Sequence, residues 1–192
     1  MRFRDLGKGV EKITIMKGAK ITEKPIEKVK WKIARWASRE DFLKKRVYSK
    51  EEAIKLFGVP QFTEFEGNVL LNEGINELWT LVCSSGGTKF DNSNAYLGVG
   101  DGTTAEDASQ TGLQGSNKTY KAVDTGYPTY GTNQKATWRA TFSETEANHA
   151  WQEFTVANGD SDSAVNLNRK VSDQGTKTSG QVWQLTIEIT LS

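Results

Sequence analysis

The most regular feature of the chain is an alternation of apolar and polar residues in its second half. Near the C-terminus, five apolar residues fall on one face of a predicted strand: Trp183, Leu185, Ile187, Ile189 and Leu191. The same period of two recurs in the segments AYLGV, ATWRATF, WQEFTV and NRKVS, which are separated by clusters of Gly, Asn, Asp, Ser and Thr. Short strands with turn residues between them are typical of antiparallel sandwiches and barrels. We therefore predict a mainly β fold, an antiparallel β-sandwich or jelly-roll-like domain, over residues 67–192.

Residues 68–83 have helical periodicity instead. In NVLLNEGINELWTLVC, apolar residues form one stripe at helical spacing: Leu71, Ile75, Leu78, Trp79 and Val82. Asn72 is the predicted N-cap, and SSGG at 84–87 predicts the end of the helix. The sequence thus predicts one amphipathic helix in the sandwich domain. Four tryptophans lie in apolar-periodic segments and are predicted to be core residues: Trp79, Trp138, Trp151 and Trp183.

The first 66 residues mix strand and helix signals. VEKITI and EKVKWKI alternate, and lysines occupy the second face of the latter, which predicts strands with one solvated, charged side. Two short helices are predicted next, in SREDFLKKR with Ser38 as N-cap and in SKEEAIKLFG with Ser49 and Glu52 in capping-box spacing. We predict an ordered α+β arm, residues 1–66, that precedes the sandwich.

This arm is basic although the whole chain is nearly neutral. Residues 1–66 hold 17 Lys/Arg and 10 Asp/Glu, residues 67–192 hold 8 and 14, and the formal net charge of the chain is +1. A basic arm suits nucleic acid, an acidic protein surface, or simply a solvated lysine face. Aromatic residues among cations could stack on bases, but no nucleic-acid-binding motif accompanies them. We therefore favour attachment to a protein subunit, with these candidate partner-binding residues: Phe3, Lys28, Lys30, Trp31, Lys32, Arg35 and Trp36.

The segment GVGDGTT resembles a phosphate-binding glycine loop in its first residues only. A dinucleotide fingerprint needs an amphipathic helix directly after the glycines, and a P-loop needs a lysine. Here the residues TTAEDASQTGLQG follow, without apolar periodicity or a lysine. The sequence predicts a sharp turn after a strand, in which Gly98, Gly100 and Gly102 supply positive φ angles.

Catalytic signals are weak. The one histidine, His149, has Glu144, Glu146 and Glu153 near it in sequence, so the spacing permits a catalytic acid–base pair. No nucleophile motif and no second histidine accompany it. The prediction is a histidine in a turn or at a strand edge, in a protein that is not an enzyme.

Cofactor, metal and membrane signals are equally weak. Asp160 and Asp162 begin like a calcium loop, but the sixth and twelfth positions are valines, so we predict a solvated hairpin tip. Cys83 is the only cysteine, which excludes an internal disulfide. No apolar run approaches the roughly 20 residues that cross a bilayer. We expect no cofactor, no metal, no membrane association and synthesis in a host cytoplasm.

From Asn68 onward, the order of features resembles a class of small structural proteins of tailed-bacteriophage virions. The segments that carry the resemblance are LLNEGINELWTLV, AYLGVGDGTTAEDASQTGLQG, ATWRATFSETEANHAWQEFTV and LNRKVSDQGTKTSGQVWQLTIEITLS. The class has an N-x-G-x-N helix, a strand that leads into a G-x-G-x-T-T turn, and a Thr-rich final strand. The resemblance covers roughly two-thirds of the chain and implies a β-module without catalytic chemistry.

This resemblance implies a virion structural protein, with a capsid decoration (cementing) role on the outside of the head as the leading expectation. The expected partners are the major capsid protein and further copies of the chain, as a homo-oligomer for which a trimer is one option. Many weak contacts become strong when an oligomer binds several capsid subunits at once. No specific nucleic acid is expected as a partner.

Two alternatives stay open. In the first, the protein belongs to the tail, as a fibre or tip module, and the loops 100–118 and 124–136 bind host glycan with Tyr120, Tyr127 and Tyr130 as stacking faces. In the second, a carbohydrate-active hydrolase is built on a β-sandwich and uses Glu144, Glu146 or Glu153.

Overall fold

The structure is a computed structural model that describes residues 27–191. Phe3 and the strand predicted at Val10, Ile13 and Ile15 lie outside the described residues. Thirteen elements follow one another in the described part: β1 Glu27–Trp36, α1 Arg39–Leu43, α2 Lys50–Phe57, β2 Phe62–Glu66, β3 Val69–Leu70, α3 Asn72–Cys83, β4 Tyr96–Gly100, β5 Lys118–Ala122, β6 Thr129–Thr132, β7 Lys135–Phe142, β8 Glu153–Ala157, β9 Asn168–Val171 and β10 Val182–Leu191.

The strands form two antiparallel sheets of five strands each. The first sheet has the order β2-β1-β10-β7-β6, and the second has the order β3-β9-β8-β4-β5. The predicted mainly β, antiparallel sandwich is therefore confirmed. The two sheets pack face to face, because apolar side chains of both sheets form one hydrophobic core.

Strand β1 is an internal strand of the first sheet. It pairs antiparallel with β10 along its whole length, from Glu27 opposite Leu191 to Trp36 opposite Val182, and with β2 on its other side. The first sheet thus draws on both regions that the charge pattern separates. Residues 27–66 contribute two of its five strands, so this part of the predicted arm is built into the sandwich.

The core lies between the sheets and is rich in aromatic residues. Trp31, Trp151 and Trp183 are completely buried, and Trp151 packs edge-on against Trp183 with ring centroids 4.9 Å apart. Trp138 is 7% exposed and donates a hydrogen bond from Nε1 to the Phe90 carbonyl. The core positions predicted for Trp138, Trp151 and Trp183 are confirmed.

The two short helices begin where their caps were predicted. The Ser38 side chain accepts a hydrogen bond from the Asp41 amide at the start of α1. Ser49 and Glu52 form a complete capping box on α2, which ends at Gly58 in the left-handed conformation. Both caps are local in sequence, so pattern alone predicts them.

Helix α3 differs from the prediction in its cap and in its buried face. Its N-cap is Leu71, which is fully buried and makes no side-chain cap bond, so the prediction of Asn72 as cap is wrong. A Cβ at Gly74 would lie 2.5 Å from the Leu167 backbone, so the helix approaches the sheet there. Trp79 is 62% exposed, and its predicted core position is also wrong. The sandwich covers Leu78, which belongs to the predicted stripe, and Leu81, which does not.

Candidate functional site

The outer face of the first sheet is the candidate binding face, because it carries four of the predicted partner-binding residues. Side chains alternate along β1. Lys28, Lys30, Lys32 and Trp36 point away from the core, and Val29, Trp31, Ile33 and Arg35 are the buried set on the opposite side. The alternation therefore divides the candidate residues between two different environments.

Trp31 is a core residue. It is completely buried, its ring stacks on Phe65 with centroids 6.0 Å apart and planes 4° apart, and Nε1 donates to the Gly67 carbonyl at 3.1 Å. The expectation that Trp31 anchors a partner is corrected, because a ring enclosed between two sheets cannot reach another subunit.

Arg35 is also internal. Nη1 donates to Thr63 Oγ1 at 2.9 Å, Nη2 donates to the Gln174 carbonyl at 3.1 Å, and the guanidinium lies 4.5 Å from the centre of the Trp183 ring. Burial lowers the pKa of Arg35 to about 10. Its predicted role in partner binding is corrected in the same way, since the cation serves to join β1, β2 and the 172–175 turn.

The outward lysines are largely neutralised within their own sheet. Lys30 Nζ lies 2.6 Å from Glu64 Oε2, and Lys32 Nζ lies 2.9 Å from Glu188 Oε1. The Glu64 hydrogen bond raises the pKa of Lys30. Lys28 is exposed and forms no salt bridge among residues 27–191. Of the three lysines of β1, Lys28 is therefore the one without a carboxylate partner in the described part of the chain.

An open groove of about 630 Å³ lies on this face, beside α1. Its lining combines aromatic, charged and amide side chains: Ala34, Trp36, Phe42, Lys45, Phe62, Asp124, Arg139, Thr141 and Gln184. Strands β1, β2, β7 and β10 supply the floor, since their outward residues stand next to one another in the sheet. The groove is a concave feature that residues of four neighbouring strands build together on the candidate face.

The aromatic side of the groove has one accessible anchor. Trp36 is only 6% exposed, because Phe42 packs edge-on against it with centroids 5.0 Å apart. Lys45 Nζ lies 3.6 Å from the centre of the Phe42 ring. Phe62, in contrast, is 54% exposed. A partner would therefore meet the Phe62 ring, with Trp36 and Phe42 as the apolar surface behind it.

The polar side of the groove is held in a fixed arrangement. Asp124 accepts hydrogen bonds from Arg139 Nε at 2.8 Å and from Thr141 Oγ1 at 2.9 Å. Gln184 Nε2 donates to Thr141 Oγ1 at 2.9 Å, and the Arg139 guanidinium lies 4.3 Å from the centre of the Tyr127 ring. These side chains are preorganised, which favours binding because less side-chain conformational entropy is lost when a partner binds.

The glycine motif has a structural role different from the predicted one. Gly98, Gly100 and Gly102 do not adopt positive φ angles, so that prediction is wrong. They are required because a Cβ would collide: at Gly100 and at Gly102 it would lie 2.5 Å from Glu153 Oε1. Gly100 and Gly102 therefore make room for a buried carboxylate, whereas Gly98 makes room for Thr155 and Tyr120.

This carboxylate, Glu153, holds the 101–117 loop against the second sheet. Oε1 accepts hydrogen bonds from the backbone amides of Gly102 and Gly115, and Oε2 accepts one from Gln114. Arg169 approaches Oε2 with Nε at 2.9 Å and Nη2 at 2.7 Å, and both side chains are completely buried. The ion pair is a clamp for a loop, not a site that substrate could reach.

The candidate catalytic residues are separated into different contacts. His149 Nε2 lies 3.1 Å from Thr119 Oγ1, and Nδ1 lies 2.9 Å from the Ala150 carbonyl. Glu146 accepts from Lys121 at 2.6 Å. Glu144 pairs with Arg39 at 3.6 Å. None of the three predicted acids is a hydrogen-bond partner of His149.

The tyrosines that the glycan alternative needs are not equivalent. Tyr120 donates its hydroxyl proton to Asp162 Oδ1 at 2.6 Å, and its ring packs over Gly98. The prediction of Tyr120 as a stacking face for sugar is therefore corrected, because its ring and hydroxyl serve internal packing. Tyr130 is 78% exposed. It lines an open cleft of about 360 Å³ together with Tyr127 and the polar residues of the 91–93 turn.

Comparisons with known proteins give no relative for this chain. No family model, no curated protein and no solved structure matches it. Within residues 27–191, no group of three or more His, Cys, Asp or Glu side chains is placed to hold a metal ion. No helix in that range is long and apolar enough to span a membrane.

Sequence reasoning missed most of the groove. Phe62, Asp124, Arg139 and Gln184 come from segments far apart in the chain and meet only because four strands are neighbours in one sheet. The signal that could have found Phe62 is the alternation in FTEFE, where Phe62, Glu64 and Glu66 share the exposed face.

Proposed function

We propose that the protein is a non-enzymatic structural component of a tailed-phage virion, which attaches to the outside of the capsid through the outer face of its first sheet. The virion assignment is supported by the resemblance of residues 68–192 to structural proteins of that class. The attachment site is supported by one observation above all: the groove joins an exposed Phe62 to a preformed Asp124–Arg139 pair.

This combination suits a protein partner. Half-exposed aromatic side chains beside ordered arginines are common energetic centres of protein interfaces. The mixed charges of the face, with Lys30 and Lys32 paired to Glu64 and Glu188, suit a polar rim that stays solvated until assembly. Contacts of modest strength suffice for a decoration protein if several copies bind one particle.

The test uses particles that lack the protein and purified variants added back to them. Phe62→Lys should reduce particle binding at least about 10-fold, because it removes the apolar anchor and adds a cation to the groove that Arg139 also lines. Ile54→Lys is the matched control, since Ile54 is 44% exposed on α2 and does not line the groove. Equal binding by Phe62→Lys and wild type would contradict attachment through the groove.

A tail role with glycan binding is the second candidate, and the cleft at Tyr130 favours it. An exposed tyrosine ring beside Asp91, Asn92 and Ser93 has the composition of a sugar-binding surface, with a stacking face and several hydrogen-bonding groups. Binding on a glycan array that is lost in Tyr130→Ala would support this role. Absence of any array signal would leave the capsid role as the better account.

A further inference from the structure

The groove on the outer face of the first sheet contains a cation that has no carboxylate partner. This cation, Lys45, belongs to the segment 39–46, whose other cations each pair with a carboxylate: Arg39, Lys44 and Arg46. Lys45 is exposed, lines the groove and forms no salt bridge among residues 27–191. It is therefore the cation of this segment whose charge is available to a partner.

The backbone holds Lys45 at the groove in a conformation that side chains seldom adopt. Lys45 directly follows Lys44, the C-cap of α1, and its φ angle of 51° lies in the left-handed region. Glycine is the usual residue at such a helix end, because it has no Cβ to collide with the backbone. With lysine in this place, Nζ lies 3.6 Å from the centre of the Phe42 ring and 5.3 Å from that of the Trp36 ring. The end of α1 does not require a lysine, so the contribution of this side chain is a cation at the groove.

Arg139 brings further unused donors to the same groove. Its Nε donates to Asp124 Oδ2, but neither Nη atom has a hydrogen-bond acceptor among residues 27–191. The guanidinium lies over the Tyr127 ring, and an ordered guanidinium presents a fork of N–H groups that matches a carboxylate. Asp124 already accepts three hydrogen bonds, from Arg139 Nε and from the backbone and hydroxyl groups of Thr141. The groove therefore offers a partner cationic donors, whereas its own carboxylate is engaged.

The positive charge of the groove is local. The lining holds two cations, Lys45 and Arg139, against one carboxylate, Asp124. On the neighbouring part of the face, two lysines of β1 are paired with glutamates. Nucleic acid is an extended polyanion and is bound by a row or patch of unpaired cations, which this face does not supply. A single carboxylate beside an apolar side chain fits better, because Phe62 is exposed in the same groove.

We propose that the groove binds an acidic segment of the partner protein, in which a carboxylate pairs with Lys45 and Arg139 and an adjacent apolar side chain packs on Phe62. The inference rests on the proposed function, because it identifies the chemistry of the segment that the attachment groove receives. Charge complementarity of this kind speeds association and excludes partners of the wrong sign. The cation of Phe62→Lys would face the apolar side chain of the segment and not its carboxylate, so that variant should still bind poorly.

Reversal of one exposed charge tests the proposal on particles that lack the protein. Lys45→Glu should weaken binding to these particles at least about 10-fold, because the new carboxylate repels that of the partner. Lys55→Glu is the matched control, since Lys55 is exposed on α2, lies outside the groove and gives the same change in net charge. Its binding should equal that of the wild type. Thermal unfolding checks that both variants are folded.

The salt dependence of binding distinguishes a lost charge contact from a lost shape. Wild-type binding should weaken as the ionic strength rises, because salt screens exposed charges. This dependence should be smaller in Lys45→Ala, which removes the charge without reversing it. Wild-type binding that did not change with ionic strength would contradict the proposal.

The variants also distinguish a failure of this inference from a failure of the proposed function. If Lys45→Glu bound like the wild type while Phe62→Lys did not, the acidic partner would be excluded and attachment through the groove would stand. Equal binding by the wild type and both variants would contradict the attachment itself. Loss of binding after nuclease treatment of the particles would assign the anion to nucleic acid and would overturn the proposal too.

Discussion

Replacing Glu153 by Gln tests the role of the glycine loop. The substitution keeps the size of the side chain, but it removes the charge that faces Arg169 and turns one acceptor oxygen into a donor. That donor would confront backbone amides that now approach Glu153 at 2.7 Å from Gly115 and 2.8 Å from Gln114. Breaking a buried pair while one charge stays costs about 3–5 kcal/mol, out of a typical stability of about 5–15 kcal/mol.

Urea unfolding followed by tryptophan fluorescence measures this loss. Glu64→Gln is the matched control, because the Glu64 side chain is 52% exposed and its solvent-screened pair with Lys30 should contribute little to stability. The dependence of unfolding free energy on urea should stay unchanged in both variants. If Glu153→Gln lost no more stability than Glu64→Gln, the 101–117 loop would not be held by this carboxylate, and the account of the glycine motif would be refuted.

Two further changes test the close packing at Gly100 and the buried amine of Lys177. Gly100→Ala should lower the free energy of unfolding by about 1–3 kcal/mol, because its Cβ would lie 2.5 Å from Glu153 Oε1. Gly86→Ala is the control, since its Cβ would have Ser84 Oγ at 3.5 Å as nearest neighbour, and its stability in thermal unfolding should stay within about 0.5 kcal/mol of the wild type. Burial lowers the pKa of Lys177 from 10.5 to about 8. The Lys177 amine therefore binds its proton more tightly in the unfolded chain than in the folded one, so the free energy of unfolding should increase between pH 8 and 10.5. Lys177→Met should lack this increase. If wild type and Lys177→Met had the same dependence of stability on pH, the prediction would be contradicted.

The parts of the fold that sequence predicts are those with local or periodic signals. The final strand alternates over ten residues, and the caps at Ser38 and Ser49 bond to residues three positions away. Strand β6, with the sequence TYGT, is exposed along its whole length and has no alternation, so its sequence predicts a loop. Its place in the sheet follows from pairing with β7, which a local pattern does not encode.

The remaining differences come from contacts between distant residues. Glutamate is a residue type that is usually exposed, but Glu153 is buried because Arg169 and the 101–117 loop enclose it. Trp79 lies in an apolar stripe wider than the face that the sandwich covers, so periodicity alone assigns it to the core. The groove could not be predicted either, because the order of β2, β1, β10 and β7 across the sheet decides which side chains meet.

We propose that this protein attaches to the outside of a capsid, and cryo-electron microscopy of particles that contain the chain tests this proposal most directly. We expect density for the sandwich on the icosahedral shell, with the face of Lys28 and Phe62 turned towards capsid protein. Density confined to the tail, or a sandwich whose Phe62 groove faces solvent, would contradict the account.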